Sequence, residues 1–222
     1  MNQEKGRALT EMSFDEWVRH GFDHPVTDPA WHWAADAERA ELEPRQVVAY
    51  AARLFREADE QLAPYTGAQV NQGLSYLIDE SGSPLYALVD TKVPLAERLH
   101  CIHSIATLFK KCFVPRCAPQ LRGSGGDLNP VCYMWWDVFP LRGQPENPAR
   151  REIDSACLWV MEATLALPSI ACQESALHGL GHWRMSYPDR CHTIVSEFLA
   201  GQLRLLPELR EYALQALEGR VL

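Results

Sequence analysis

The stretch that decides the fold is 93-VPLAERLHCIHSIATLFKKCF-113. Leu95, Leu99, Ile102, Ile105, Phe109 and Phe113 recur there at spacings of three and four. On a helix of 3.6 residues per turn these positions form one wide apolar face. The other side carries Glu97, His100, His103, Thr107, Lys110 and Lys111, the composition of a solvated surface. Alternation with a period of two is absent, so the stretch predicts an amphipathic helix packed against a core.

The same period extends both ways. Upstream, 13-SFDEWVRHGF-22 offers Ser13 as N-cap, Glu16 at the capping-box position and a stripe of Phe14, Trp17 and Val18, with Gly21 as the stop. In 44-PRQVVAYAARLFREADEQL-62 proline occupies a first-turn position, where its missing N–H costs nothing. In 66-TGAQVNQGLSYLIDESG-82, Thr66 and Gln69 form a second capping box and Gly82 is the expected stop. Downstream, 149-ARREIDSACLWVMEATLAL-167 is apolar nearly all round and reads as a central, buried helix opened by Asn147 and Pro148. Three helices follow within 169–185, 188–203 and 207–222, joined by short connections. Only 131-VCYMWWDVF-139 is too short for periodicity to choose between helix and buried strand. Short connections imply antiparallel neighbours. The expectation is an all-α chain, a single domain of stacked antiparallel helix pairs, HEAT/armadillo-like toward the C-terminus. Residues 1–43 supply a polar start, a short helix and a Trp-rich arm packed on the body, and 44–222 the all-helical body.

Charge narrows the function classes. The formal net charge is -8. A nucleic-acid binder needs a basic face to displace counterions from phosphates, and docking to anionic lipid needs the same sign. Neither partner is expected, whereas an acidic surface suits a basic protein partner as well as plain solubility. The seven cysteines are odd in number, contain no CxxC and sit in apolar helical patterns, which is the usage of a reducing compartment. The first 17 residues hold no apolar secretory core, and the longest nearly apolar run, 156–172, is interrupted by Glu162 and Pro168. The expected location is the cytoplasm.

Four constellations bear on chemistry. Glu174, His178 and His182 share one helix edge at i, i+4 and i+8. Two histidines at this spacing can hold one zinc, and the carboxylate could add a ligand. The zincin pattern, however, needs a glutamate directly after the first histidine, and that position is Gly179. Gly179 and Gly181 each cost a helix about 1 kcal/mol relative to alanine. Gly179, together with Cys172, Ser175 and Ala176, reads as a small-residue face for close helix packing, with the histidines at its rim. Cys191 and His192 could contribute only from the next helix.

A second group, His100, His103, Cys112, Cys117 and Cys132, resembles half a zinc ribbon and lacks the second cysteine pair. The Gly-rich stretch Arg122–Asp127 lacks the Lys-Ser/Thr of a phosphate-binding loop and reads as surface loop. The fourth group is acidic and aromatic: Glu57, Asp59, Glu60, Asp79, Glu80, Trp136 and Asp137. Acids at helix C-termini oppose the macrodipole, and residues placed against local preference suit contact with a basic partner.

The segments 14-FDEWVRHGFDHPV-26, 94-PLAERLHCIHSIATLF-109 and 176-ALHGLGHW-183 resemble a family of uncharacterised all-helical bacterial proteins. More loosely, the chain resembles immunity proteins that neutralise secreted antibacterial toxins, including those of type VI secretion. That resemblance implies a protein that occludes a cognate, basic toxin domain, such as a nuclease, without catalysis or cofactor. The expected partner contacts are the acidic and aromatic residues just named. Alternatives are a metal-dependent enzyme built on Glu174, His178 and His182, and a HEAT-like scaffold in a larger complex.

Overall fold

Capping residues set where the first helices begin. A computed structural model describes residues 12–35, 37, 40–119, 121, 125–201 and 205–221. Its helices are α1 (Phe14–Phe22), α2 (Pro44–Arg56), α3 (Ala58–Gln61), α4 (Gly67–Ile78), α5 (Leu95–Leu108), α6 (Val114–Arg116), α7 (Asn129–Val138), α8 (Arg151–Leu165), α9 (Ile170–Trp183), α10 (Pro188–Gly201) and α11 (Pro207–Glu218). No strand occurs among the described residues, so the chain is all-α. Ser13 Oγ accepts from the Glu16 amide while the Glu16 carboxylate accepts from the Ser13 amide, and Thr66 and Gln69 repeat the arrangement at α4. The expected start at residues 1–12 falls, except for Met12, outside the described residues.

The apolar-faced stretch 95–113 forms α5 and continues, without leaving the helix, through a π-helical segment at Phe109–Phe113. Ile102, Ile105, Phe109 and Phe113 are fully buried. The ambiguous 131–139 run is helical and belongs to α7, where Trp135 and Trp136 are both fully buried. Other boundaries differ from expectation. α1 runs past Gly21 to Phe22. α4 ends at Ile78 rather than Gly82, because Asp79 leaves the helical conformation and accepts hydrogen bonds from the Ser81 amide at 3.0 Å and hydroxyl at 2.9 Å. The helix buried on nearly every side is α9 rather than α8, whose Trp159 is 48% exposed.

The helices stack in two rows. In one, α1 packs on α4, α4 on α7, α7 on α9 and α9 on α11; in the other, α2 packs on α5, α5 on α8 and α8 on α10. Connections of four residues, 166–169 and 184–187, hold α8, α9 and α10 as neighbours. One cluster of buried side chains runs from Phe14 to Val221. The Trp-rich arm lies on the body: Trp31 packs against that cluster, its ring centroid 3.9 Å from that of His24 and 4.9 Å from that of Tyr76. A buried ion pair between Arg150 and Asp154, at 2.9 Å, ties the start of α8 to the preceding loop. The second Asp154 oxygen accepts from the Gln144 amide and the Tyr187 hydroxyl. No helix among the described residues is long and apolar enough to cross a membrane.

Candidate functional site

Gly179 of α9 acts as the sequence suggests. A Cβ on Gly179 would lie 2.6 Å from Cβ and Cγ of Trp136, so only glycine lets α9 lie this close to α7. That close approach has a chemical consequence. It brings Asp137, the residue after Trp136, to the histidines of α9.

His182 Nε2 lies 3.1 Å from His178 Nε2 and 3.4 Å from Asp137 Oδ1. The three donor atoms all lie within 4.8 Å of one another, and among the described residues this is the single group of histidine, cysteine and acid side chains gathered so closely. His178 is buried at 2% exposure, and its Nδ1 is 2.6 Å from the Tyr212 hydroxyl of α11. Tyr212 in turn meets the Tyr133 hydroxyl at 3.2 Å. Burial, aided by the neighbouring His182, pushes the His178 pKa down to about 4, so its imidazole is neutral near pH 7. The Asp137 and His182 side chains remain 30% and 35% exposed, so solvent reaches the point where the three meet.

Glu174 is not part of this group, which corrects the ligand set expected from helical spacing. It is 1% exposed and lines a separate cleft of ≈ 280 Å³ with Leu121, Glu208, Glu211, Tyr212 and Gln215. The carboxylate beside the histidines comes instead from α7, through tertiary packing. Cys191 is buried, and His192 is exposed with its Nδ1 3.4 Å from the Ser196 hydroxyl, so neither turns into the group. Of the half-ribbon, the histidines leave and the cysteines stay near one another. His100 meets Arg56 at 2.6 Å and His103 stands edge-on to Trp159, while Cys132 lies against half-buried Cys117 and buried Cys172, with Cys112 near the same two.

The acidic and aromatic residues divide into two places. Glu57 closes α2 and pairs with Arg53, and Asp59 pairs with Lys111, each at 2.9 Å. Asp59 and Glu60 lie in the first turn of α3, so their position suits the macrodipole rather than opposing it. Trp136 is fully buried against α9, which takes it off the contact surface, whereas Asp79, 7% exposed, lines a cleft between α4 and α7. Glu80 and Asp137 are joined by Arg142, at 3.3 and 3.8 Å.

Glu80 borders a cleft of ≈ 360 Å³ between α4 and α7, lined also by Trp33, Ser75, Pro130, Met134 and Val138. Trp33 is 59% exposed, a large aromatic left open to solvent. The aromatic on this surface is thus Trp33, and the expected Trp136 lies in the core. No family model, curated protein or solved structure matches the chain. Of the Gly-rich stretch Arg122–Asp127, residues 122–124 lie outside the described residues. Gly125 adopts a φ of 93°, in the left-handed region that favours glycine.

Proposed function

We propose that this protein acts by binding another protein, and that the partner is a basic toxin domain which it inhibits by occlusion. The observation that carries the reading is the cleft between α4 and α7, with exposed Trp33 on its wall and Glu80 at its edge. Binding energy at protein interfaces concentrates in a few aromatic and arginine side chains seated in pockets. An open aromatic beside a groove is the complement such a side chain needs. The acids nearby are held in exposed ion pairs, Glu80 and Asp137 with Arg142. Exposed pairs contribute only ~0–1 kcal/mol, so a partner's basic groups can replace Arg142 at little cost. The net charge of -8 adds attraction at long range and favours fast association.

The immunity role draws support from the looser resemblance in type, an acidic and all-helical chain, together with this surface, and a cytoplasmic location from the reducing-compartment usage of the cysteines. The test is protection of growing cells. A candidate toxin domain, taken from whichever secreted-toxin gene neighbours this one in its host genome, is expressed with and without the chain. Survival that requires the chain, with a 1:1 complex recovered from the survivors, supports the reading. Equal killing in both cultures, with no complex formed, overturns it. A scaffold in a larger complex would use the same cleft for a different partner and would leave killing unchanged.

A further inference from the structure

We propose that Asp137, His178 and His182 form a binding site for one divalent transition-metal ion, with zinc the best match to the donor set. This proposal stands apart from the protein-binding reading and does not depend on it.

The donor spacing comes first. Zinc binds imidazole nitrogen at ~2.0–2.1 Å and carboxylate oxygen at ~2.0–2.2 Å, so tetrahedral ligation sets donors about 3.3–3.5 Å apart. The observed separations from His182 Nε2 are 3.1 Å to His178 and 3.4 Å to Asp137. The remaining Asp137–His178 separation is within 4.8 Å, and a partly exposed carboxylate can close the difference by rotating.

The surroundings of His178 point the same way. Metal-bound histidines characteristically donate their second ring N–H to a fixed acceptor, which sets the tautomer. Here Nδ1 lies 2.6 Å from the Tyr212 hydroxyl, itself positioned by α11 and by contact with Tyr133. In the tautomer that donates Nδ1–H to Tyr212, the His178 Nε2 lone pair faces the shared point. Asp137 Oδ1 faces it too. Without an ion, one proton on His182 Nε2 is offered to both acceptors. When a divalent ion binds, His182 takes the tautomer with its proton on Nδ1, and both Nε2 lone pairs and the Asp137 carboxylate face the ion.

Two nitrogens and one oxygen select against calcium and magnesium, which take oxygen ligands, and suit zinc, iron, nickel or copper. Three protein ligands leave a position open to solvent, as in catalytic rather than closed structural zinc sites. Arg142, 3.8 Å from Asp137, competes for the carboxylate and can swing out because it is 43% exposed.

The experiment titrates zinc into the metal-stripped full-length protein by calorimetry and adds Co²⁺ for its visible spectrum. The expected result is saturable 1:1 binding with the absorption of a low-coordinate Co²⁺ ion. His182→Ala and Asp137→Asn, both partly exposed and checked for native circular dichroism, each weaken binding by 100-fold or more. Tyr212→Phe keeps the packing, removes the hydroxyl that orients His178, and weakens binding about 10–100-fold. His192→Ala, an exposed histidine on α10, leaves affinity unchanged. The proposal is overturned by absence of 1:1 binding, or by folded His182→Ala and Asp137→Asn variants that bind zinc as the parent does.

Discussion

Replacing Gly179 by alanine tests the contact on which both the α7–α9 packing and the histidine group depend. The new Cβ would sit 2.6 Å from Cβ and Cγ of Trp136 and 2.9 Å from Cδ1. Ordinary carbon contacts are ~3.5–4.0 Å, so the helices must part by about 1 Å. Trp136 is fully buried and the atoms met first are at the base of its side chain, so rotation offers no escape. Overpacking of this kind costs ~1–3 kcal/mol, and a clash against rigid atoms belongs at the top of that range. Alanine returns about 1 kcal/mol in helix propensity. The net expectation is a loss of about 2 kcal/mol, or about 4–8 °C in Tm for a chain of this size. Gly201 supplies the control. It lies in the last turn of α10, and a Cβ there meets nothing within 4 Å. Gly201→Ala should therefore be neutral or gain up to about 1 kcal/mol. The assay is urea denaturation followed by tryptophan fluorescence and circular dichroism for both variants. A Gly179→Ala protein as stable as the parent, or more so, refutes the close-contact reasoning.

Three further outcomes follow from the packing. Asp154→Ala removes the partner of buried Arg150 and the acceptor of Gln144 and Tyr187, and should cost ~3–5 kcal/mol in the same denaturation assay. Ser13→Ala breaks the capping box of α1 and should cost ~1 kcal/mol, visible as a Tm fall of about 2–4 °C. Six cysteines are buried, and burial holds the thiols of Cys101, Cys112 and Cys191 up at about 12. A thiolate-selective reagent at pH 8 should label Cys117 quickly in the native protein, and the other six only after unfolding, as read by peptide mass spectrometry.

Much of the architecture was legible because helices announce themselves locally. The apolar face of 95–113, the prolines at helix starts and the two capping boxes are short-range signals, and each appears where its chemistry places it. Boundaries were less legible because a glycine need not stop a helix. Gly21 stays inside α1, while Asp79 ends α4 by turning its carboxylate to Ser81. The 129–138 helix was ambiguous because it is short and its half-exposed side carries Tyr133, Met134 and Val138, so little polar face displays its period. The candidate site divides along the same line. Gly179 revealed a close crossing, since its cost to the helix needed a reason. The residue across that crossing, Trp136, and the acid it carries with it, Asp137, come from α7. Helical spacing could offer the histidines only Glu174, on their own helix, and the tertiary fold supplied Asp137 instead. A tryptophan such as Trp136 suits an interface or a core equally well, and sequence position alone does not separate the two. Trp33, in an irregular arm, had no periodic pattern to mark which side it shows.

The measurement that bears most directly on the protein-binding account is the affinity of the proposed toxin partner for cleft variants. Trp33→Ala with Glu80→Lys removes the exposed aromatic and reverses the edge charge, while Glu197→Lys changes charge at a remote groove beside α8 and α10. Loss of a hot-spot side chain costs ~2 kcal/mol or more, so the cleft variant should bind at least ~30-fold more weakly. The remote variant should bind within a few-fold of the parent. Unchanged affinity in a folded cleft variant would contradict the account.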